Sequence, residues 1–373
     1  MDKKIIIFNA LQTSLSGGIG RYCYELSKSI YNLQQITIKI VIREEDEILF
    51  SFAKKQDLIV VKGILDSMRR NYYEQFVLPK RIYKDYPTAV VHYPDSIAPL
   101  FSKNQVIITV HDVSFKAMRN VFTFKTRIWK NIITKLSMKK ACKIIADTEF
   151  TKNEILKYYL NIKRTKIDVV HCGFNDFSNK PIDENKINSD ILKLKEKEYI
   201  LTVSTISPRK NIDGLIRAFD IIKNKVSCNI VIAGKNGWLY ESVYKLVKEL
   251  NLENKVTFTG GINDEELSFL YKNAKVFVYP SFYEGFGLPP LEAMSFGIPC
   301  IVSNRTSIPE VVGDFAIQVN PYEISEMAEA INNVIIDNKL YDKLAKNGFN
   351  RIKKFSWLKC AENTLKIYYE HSR

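Results

Sequence analysis

Residues 280–294 read PSFYEGFGLPPLEAM, with two acids, Glu284 and Glu292, on either side of the turn Gly285, Phe286, Gly287 and Leu288. The run before it, KVFVYPS, has the β-branched and aromatic content of a short strand. The run after it opens on Pro289 and Pro290, and proline is tolerated in a first helical turn. The stretch is therefore a strand, a glycine exit loop and a helix start, with Glu284 in the loop and Glu292 in the opening turn of the helix. A solvated surface needs no such pair of acids, and a dry core rejects them. The helix dipole accounts for Glu292 without any ligand. A ribose diol donating to its carboxylate is the functional alternative. Sugar hydroxyls are donors that suit an ionised Glu284, and the backbone N–H groups of the glycine turn suit phosphates.

The same strand, loop and helix unit recurs along the chain. Strands are expected at KIIIFNA, ITIKIVI, LIVVK, AVVHY, VIITVHD, KIIADT and KIDVVHC in the first half. In the second half they are expected at YILTVS, CNIVIAG, KVTFTG, KVFVYP, PCIVS and AIQVN. Amphipathic segments near 20–33, 69–84, 124–140, 150–159, 211–224, 238–250, 264–272, 290–296, 306–312 and 323–335 predict the intervening helices. This alternation predicts an α/β fold of two Rossmann-like domains, with parallel sheets facing an interdomain cleft. The polar stretch NDFSNKPIDENKINSDILKLKEKE sets the boundary. The expected organisation is 1–175, a linker 176–196, 197–356, and a terminal helix 357–373 packing back toward the first domain.

Composition narrows the function classes. The chain has 373 residues, 46% of them hydrophobic, which is enough for two buried cores. No apolar run reaches 18 residues, the N-terminus lacks a small-residue cleavage site, and no Cys-x-x-Cys occurs. The expectation is a cytoplasmic protein with six unpaired cysteines. Four scattered histidines make no metal-ligand pattern. The net charge is +14, and residues 116–166 hold 14 Lys and Arg against 3 acids, with Phe122, Phe124, Trp129, Tyr158 and Tyr159 interleaved. Three readings are open for that stretch: a solvated face, docking on an anionic membrane, or nucleic acid. No nucleic-acid recognition motif supports the last of these.

Other candidate residues follow strands. In NALQTSLSGGIGRYCYEL a strand runs through Gly17, Gly18 and Gly20 into a helix, a geometry that suits an anion. The spacing is not that of a dinucleotide fingerprint. His111 and Asp112 end the strand VIITVHD, where ligands gather in open parallel sheets. Arg209 and Lys210 stand in the turn SPRKN after the first strand of the second domain, where a fork and a point charge suit a pyrophosphate. Gly234 in VIAGKNGW, with Gly261 and Ile262 in VTFTGGIND, line further strand exits of the same sheet.

Together GGIGRY, HDVSF, PRKN, PSFYEGFGLPPLEAMSFGIPC and SNRTSIPEVVGD resemble the retaining nucleotide-sugar glycosyltransferases of family 4, which have the GT-B fold. The resemblance covers nearly the whole chain, and HDVSF and PRKN are similar to the branch of bacterial polysaccharide mannosyltransferases. It implies that Glu292 holds the donor ribose, and that Arg209 and Lys210 hold the diphosphate. It implies that Glu284 and the backbone of Gly285–Leu288 hold the donor sugar, that Gly17 and Gly18 complete the phosphate side, and that His111 stands near the transferring carbon. Gly234, Gly261 and Ile262 join the donor-binding set. Family members carry a Gly-Arg pair where this chain has Ser204 and Thr205, which leaves Arg209 as the candidate for that contact. The implied donor is a nucleotide diphosphate sugar, GDP-mannose in that branch, and the implied acceptor a saccharide, lipid-linked at the inner membrane face. No Asp-x-Asp occurs, so neither metal nor cofactor is expected. The alternatives are a UDP-sugar donor, a sugar-nucleotide epimerase on the same architecture, and a basic nucleic-acid-binding protein.

Overall fold

The computed structural model describes residues 5–15, 17–63, 66–118 and 124–371, the side chain of Lys125 excepted. Lys4 of the first expected strand, and Arg119 and Phe122 of the basic stretch, lie outside the described residues. Each β-branched run forms a strand where expected. The first seven are β1 (Ile6–Asn9), β2 (Ile38–Arg43), β3 (Leu58–Val61), β4 (Val90–Tyr93), β5 (Gln105–Val110), β6 (Lys143–Ala146) and β7 (Ile167–Val169). Six more follow: β8 (Tyr199–Val203), β9 (Asn229–Ala233), β10 (Val256–Gly260), β11 (Val276–Tyr279), β12 (Cys300–Ser303) and β13 (Ile317–Val319). All pairings are parallel. A parallel sheet is covered on both faces, which is why β1, β4, β11 and β12 are buried at every position and read as unbroken apolar runs.

The chain divides into two compact units, Met1–Gly173 with Phe355–Arg373, and Phe174–Lys354. The first holds a sheet of order β3-β2-β1-β4-β5-β6-β7, the second one of order β10-β9-β8-β11-β12-β13. In the second unit Ile200, Ile230, Val278 and Ile301 of the sheet pack with Leu215, Phe219, Val247 and Ile331 of the flanking helices. In each sheet the strand order reverses once, between β1 and β4 and between β8 and β11. Such switch points, at the carboxyl ends of the strands, are the usual ligand position in open α/β sheets.

The last helix, Trp357–His371, belongs to the first unit. Its Tyr368 hydroxyl lies 2.6 Å from His92 Nδ1, and His92 Nε2 lies 2.8 Å from Thr109 Oγ1. Burial, reinforced by the nearby His111, drives the His92 pKa down to about 3, so a neutral imidazole links helix to sheet.

Three elements differ from expectation, each for a physical reason. The helix expected over 69–84 is instead Ser67–Tyr72, a π-helical turn Tyr73–Val77, and Leu78–Asp85. Pro79 has no N–H to donate and its ring crowds the carbonyl four residues back, so the widened turn sits just before it. A helix at Asn338–Ile352 is absent from the expected set: Leu340, Leu344 and Ile352 recur at helical spacing, but the segment is rich in charged and amide side chains and only Leu344 and Gly348 on it are buried. Gly348 is what lets it close on Met294, whose side chain would lie 3.1 Å from an added Cβ. The polar stretch 176–196 folds against the helix Asp264–Asn273 of the second unit. Lys186 pairs with Glu265 at 3.3 Å, and the Asn188 N–H donates to Glu266 at 3.2 Å. Phe177, Ile187 and Ile191 are buried beside these polar contacts, but three scattered apolar residues in a polar run make no periodic signal.

Candidate active site

In the second unit two exit loops meet at the β8/β11 switch point. The loop after β8 ends in a tight turn, Pro208–Lys210, and in Asn211, whose φ of 55° is left-handed. Asparagine tolerates that region. The Asn211 amide donates to Pro280 O at 3.2 Å and Pro321 O at 2.8 Å, tying the β8 exit to those of β11 and β13. The Phe282 N–H donates to Arg209 O at 2.9 Å, which joins the two loops through their backbones.

Those ties bring Arg209, Lys210 and Glu284 together. Arg209 Nη1 donates to Glu284 Oε2 at 3.0 Å and to Tyr283 O at 2.8 Å. Lys210 Nζ donates to Glu284 Oε1 at 2.6 Å and to the Tyr279 hydroxyl at 2.8 Å, and that hydroxyl donates to Glu284 Oε1 at 3.0 Å. Glu284 is buried, yet it stays ionised. Burial pushes its pKa up, but Lys210 and Arg209 outweigh burial and hold it at about 2. Arg209 keeps 26% of its side chain exposed, against 11% for Lys210. One carboxylate thus orders two cations, leaving a net charge of +1 with its arginine edge toward solvent. This arrangement can receive an anion on the cations and accept a hydroxyl on the carboxylate.

The turn that follows is held from beneath. Glu284 N–H donates to Thr306 Oγ1 at 3.1 Å, and Ser307 Oγ lies 2.9 Å from Glu284 O and 3.1 Å from Phe286 O. Thr306 is β-branched, yet has φ 61°, an uncommon backbone for such a residue. Gly287, at φ 98°, caps the helix Leu288–Ser295. That helix starts two residues before Pro290, so Glu292 is its fifth residue and no acid occupies its first turn. The dipole account of Glu292 is therefore corrected: its buried carboxylate accepts from the Tyr271 hydroxyl at 3.1 Å instead.

Other candidates are placed more variously. Gly234, at φ 148°, abuts the β8 exit; an added Cβ would stand 2.0 Å from Ser204 O, so only glycine fits. Gly261 and Ile262 follow β10, at the sheet edge and two strands from β8, with Lys235 packed over Gly261. In the first unit Gly17 and Gly18 open the helix Gly18–Leu33 with no heavy atom near where a Cβ would stand. The glycine required there by packing is Gly20, which abuts the Ser14 backbone. Asp112 caps a short turn by accepting from Ser114 N–H at 2.9 Å. His111 Nδ1 lies 2.6 Å from Asp147 Oδ2, and Nε2 lies 3.1 Å from Pro94 O. Burial alone would lower its pKa; Asp147 outweighs burial and lifts it to about 9. His111 is then an imidazolium at neutral pH, donating from both nitrogens.

Sequence reasoning passed over Tyr279, Asn211, Asp147 and Tyr271. Asp147 and Asn211 each follow a strand, so strand-exit position was an available signal; for the buried tyrosines no local signal exists.

Two family models match the chain: Glycosyltransferase Family 4 over residues 16–176 and Glycosyl transferases group 1 over residues 183–351. Among curated relatives, O-antigen chain mannosyltransferase B of Escherichia coli is 29% identical over 94% of this chain and 95% of that protein. O-antigen chain mannosyltransferase RfbU of Salmonella typhimurium is 34% identical over 62% of this chain and 61% of that one. Serotype-specific mannosyltransferase WbdA of Escherichia coli is 31% identical over 60% of this chain, which spans 28% of WbdA. Among solved structures, sucrose-phosphate synthase from Thermosynechococcus elongatus superposes with a TM-score of 0.77 at 20% identity over 99% of both chains. WaaG, a glycosyltransferase involved in lipopolysaccharide biosynthesis, gives 0.75 at 16% identity over 97% of this chain and 99% of its own. These two show a shared fold.

Proposed function

The chain belongs to the family 4 glycosyltransferases, on the GT-B fold, and from that premise we propose that it moves mannose from GDP-mannose to a lipid-linked saccharide, with retention at the anomeric carbon. One observation carries the reading: two cations ordered by a buried carboxylate where the β8 and β11 loops meet. The donor's diphosphate engages Arg209 and Lys210, and Glu284 accepts from hydroxyls of the sugar. The peptide N–H groups of Gly285–Leu288 and the dipole of the helix they open add positive potential. As the bond from the anomeric carbon to the diphosphate breaks, charge grows on the leaving oxygens, and the acceptor hydroxyl oxygen bonds to that carbon from the same face while giving its proton to the departing phosphate. Preorganised donors that meet that charge lower the barrier. Positive charge supplied this way does the work for which other transferases use a divalent cation, so the reaction is expected to need no metal. His111, an imidazolium whose two N–H groups are taken by Asp147 and Pro94 O, contributes positive charge and is not the base of the reaction. The mannosyl donor and saccharide acceptor are supported by the names of the relatives.

The basic stretch 116–166 serves as a contact with an anionic membrane, which places the enzyme at the inner face. Among the described residues no helix is long and apolar enough to cross a membrane.

The deciding experiment is thermal denaturation with GDP, UDP and ADP and their sugars, followed by product analysis with donor alone. A ligand that binds only the folded state raises the melting temperature. GDP and GDP-mannose are expected to give the largest rise, with no product unless acceptor is added. A larger rise with UDP-sugars reassigns the donor, and turnover of donor alone to an isomer reassigns the protein as an epimerase. Glu292→Ala is expected to weaken donor binding about tenfold or more, the loss of one charge-assisted hydrogen-bonded pair. Unchanged affinity removes Glu292 from the ribose.

A further inference from the structure

In the helix Phe124–Lys140, residues Phe124, Ile128, Ile132 and Leu136 are spaced four apart and are 66%, 41%, 52% and 41% exposed. Residues at that spacing share one face of a helix. The neighbouring row is polar: Asn131, Lys135 and Lys139, again four apart. Beside this second row lies a cavity of about 260 Å³, lined by Lys116, Asn131, Lys135, Lys139, Tyr159 and Leu160 among others. The volume is below the roughly 300–1,000 Å³ of sites that enclose a whole drug-sized ligand, and it suits a compact head group.

Its chemistry is one-sided. Lys116, Lys135 and Lys139 bring three positive charges, and among the described residues no carboxylate lines the space. Lys116 Nζ stands 5.5 Å from the centre of the Tyr159 ring. Tyr159 is only 4% exposed, and its hydroxyl has no hydrogen-bond partner in the structure. A buried hydroxyl without a partner is costly and calls for a reason. Lysine donates only, a phenol can donate, and the Asn131 amide, whose Oδ1 is likewise buried without a partner, offers N–H groups once it is turned about its last torsion. The occupant that answers such a set is an anion rich in acceptor oxygens. Leu160, 86% exposed at the cavity's edge, and the apolar row one residue further round the helix then lie where hydrocarbon continues from that anion.

We propose that this cavity seats the phosphate head group of an anionic membrane lipid, with Leu160 and the row from Phe124 to Leu136 against the acyl chains. The proposal rests on the membrane reading of residues 116–166 and adds a discrete site to what diffuse charge would do. Diffuse attraction treats every base alike, at about 1 kcal/mol each; a built site does not.

The test is sedimentation with phosphatidylcholine vesicles containing phosphatidic acid, at fixed ionic strength. Lys135→Gln with Lys139→Gln removes two charges from the cavity; Arg127→Gln with Lys130→Gln removes two from the same helix outside it. The cavity pair is expected to bind at least about tenfold more weakly than the control pair, a difference near 1.4 kcal/mol. Equal losses overturn the site and leave the membrane reading standing, whereas a parent protein that fails to sediment overturns both. Lys135 and Lys139 are exposed, so their replacement does not endanger the fold. Tyr159→Phe is expected to raise the melting temperature, by deleting the unpartnered hydroxyl, while lowering vesicle affinity. Unchanged affinity overturns the phosphate contact. Inorganic phosphate is expected not to displace the protein from these vesicles; displacement assigns the cavity to a soluble anion and overturns the lipid.

Discussion

Replacing Lys210 with Ala is expected to reduce turnover by at least about 10²-fold, the loss typical of removing one donor that meets developing transition-state charge. The structure gives the change a second consequence. Lys210 and Arg209 share one buried carboxylate, and the Lys210 contact is the shorter, at 2.6 Å against 3.0 Å. Without Lys210, Glu284 keeps Arg209 and the Tyr279 hydroxyl but loses its less exposed cation. Breaking a buried pair by removing one partner costs about 3–5 kcal/mol when nothing replaces it. Here Arg209 remains, so the stability loss falls below that range. Melting temperature must therefore be measured beside turnover, at a temperature where the variant is folded. A folded Lys210→Ala protein with near-parental turnover removes Lys210 from the leaving group. Lys210→Arg is the informative companion: it restores charge but not shape, since a planar fork does not replace a point charge at a site this enclosed.

The parts of this site differ in how far local sequence exposes them. Arg209, Lys210 and Glu284 are each visible as polar residues just past an apolar strand, because strand exits are where such residues can face a ligand. Their mutual pairing is not visible. It spans about 75 positions and depends on β8 lying beside β11, which only the sheet order fixes. The same holds for His111 and Asp147, which meet because β5 neighbours β6. Strand runs were legible because double-sided burial demands β-branched residues at every position. The helix Asn338–Ile352 was less so, because its apolar stripe of Leu340, Leu344 and Ile352 is thin among charged and amide side chains. Glycine was legible as a residue type but not as a requirement. Gly17 and Gly18 stand in open space, whereas Gly20 and Gly234 are the positions where a side chain would collide with backbone. A start shifted by two residues was enough to move Glu292 out of the first turn of its helix and to exchange a dipole for a tyrosine hydroxyl.

Glu284→Gln should lower turnover by about 10²–10³-fold, the scale set by losing one preorganised polar contact to the reacting centre, while leaving the affinity for nucleoside diphosphate equal or higher. Glutamine keeps the shape of the side chain and removes its charge. Arg209 and Lys210 then lose the anion that offsets them, and their full field is available to a diphosphate. The sugar loses an ionised acceptor for its hydroxyls, and that loss is felt where the ring flattens toward an oxocarbenium ion. A split between preserved product affinity and lost turnover is the signature. If nucleoside diphosphate affinity falls in step with turnover, Glu284 serves only to hold the cations in place; if turnover persists, it does not face the donor sugar at all. Acid stability gives an independent check on the charge. The folded carboxyl is held at about 2, below its ordinary 4.5, because two cations outweigh burial. The unfolded chain therefore takes up this proton first, so the stabilisation is complete above about pH 4.5 and is lost as pH falls toward 2. Glu284→Gln has no such proton to bind. Its unfolding free energy is expected to fall less steeply than the parent's across that window, and parallel curves would mean that the carboxylate is not held ionised by Arg209 and Lys210.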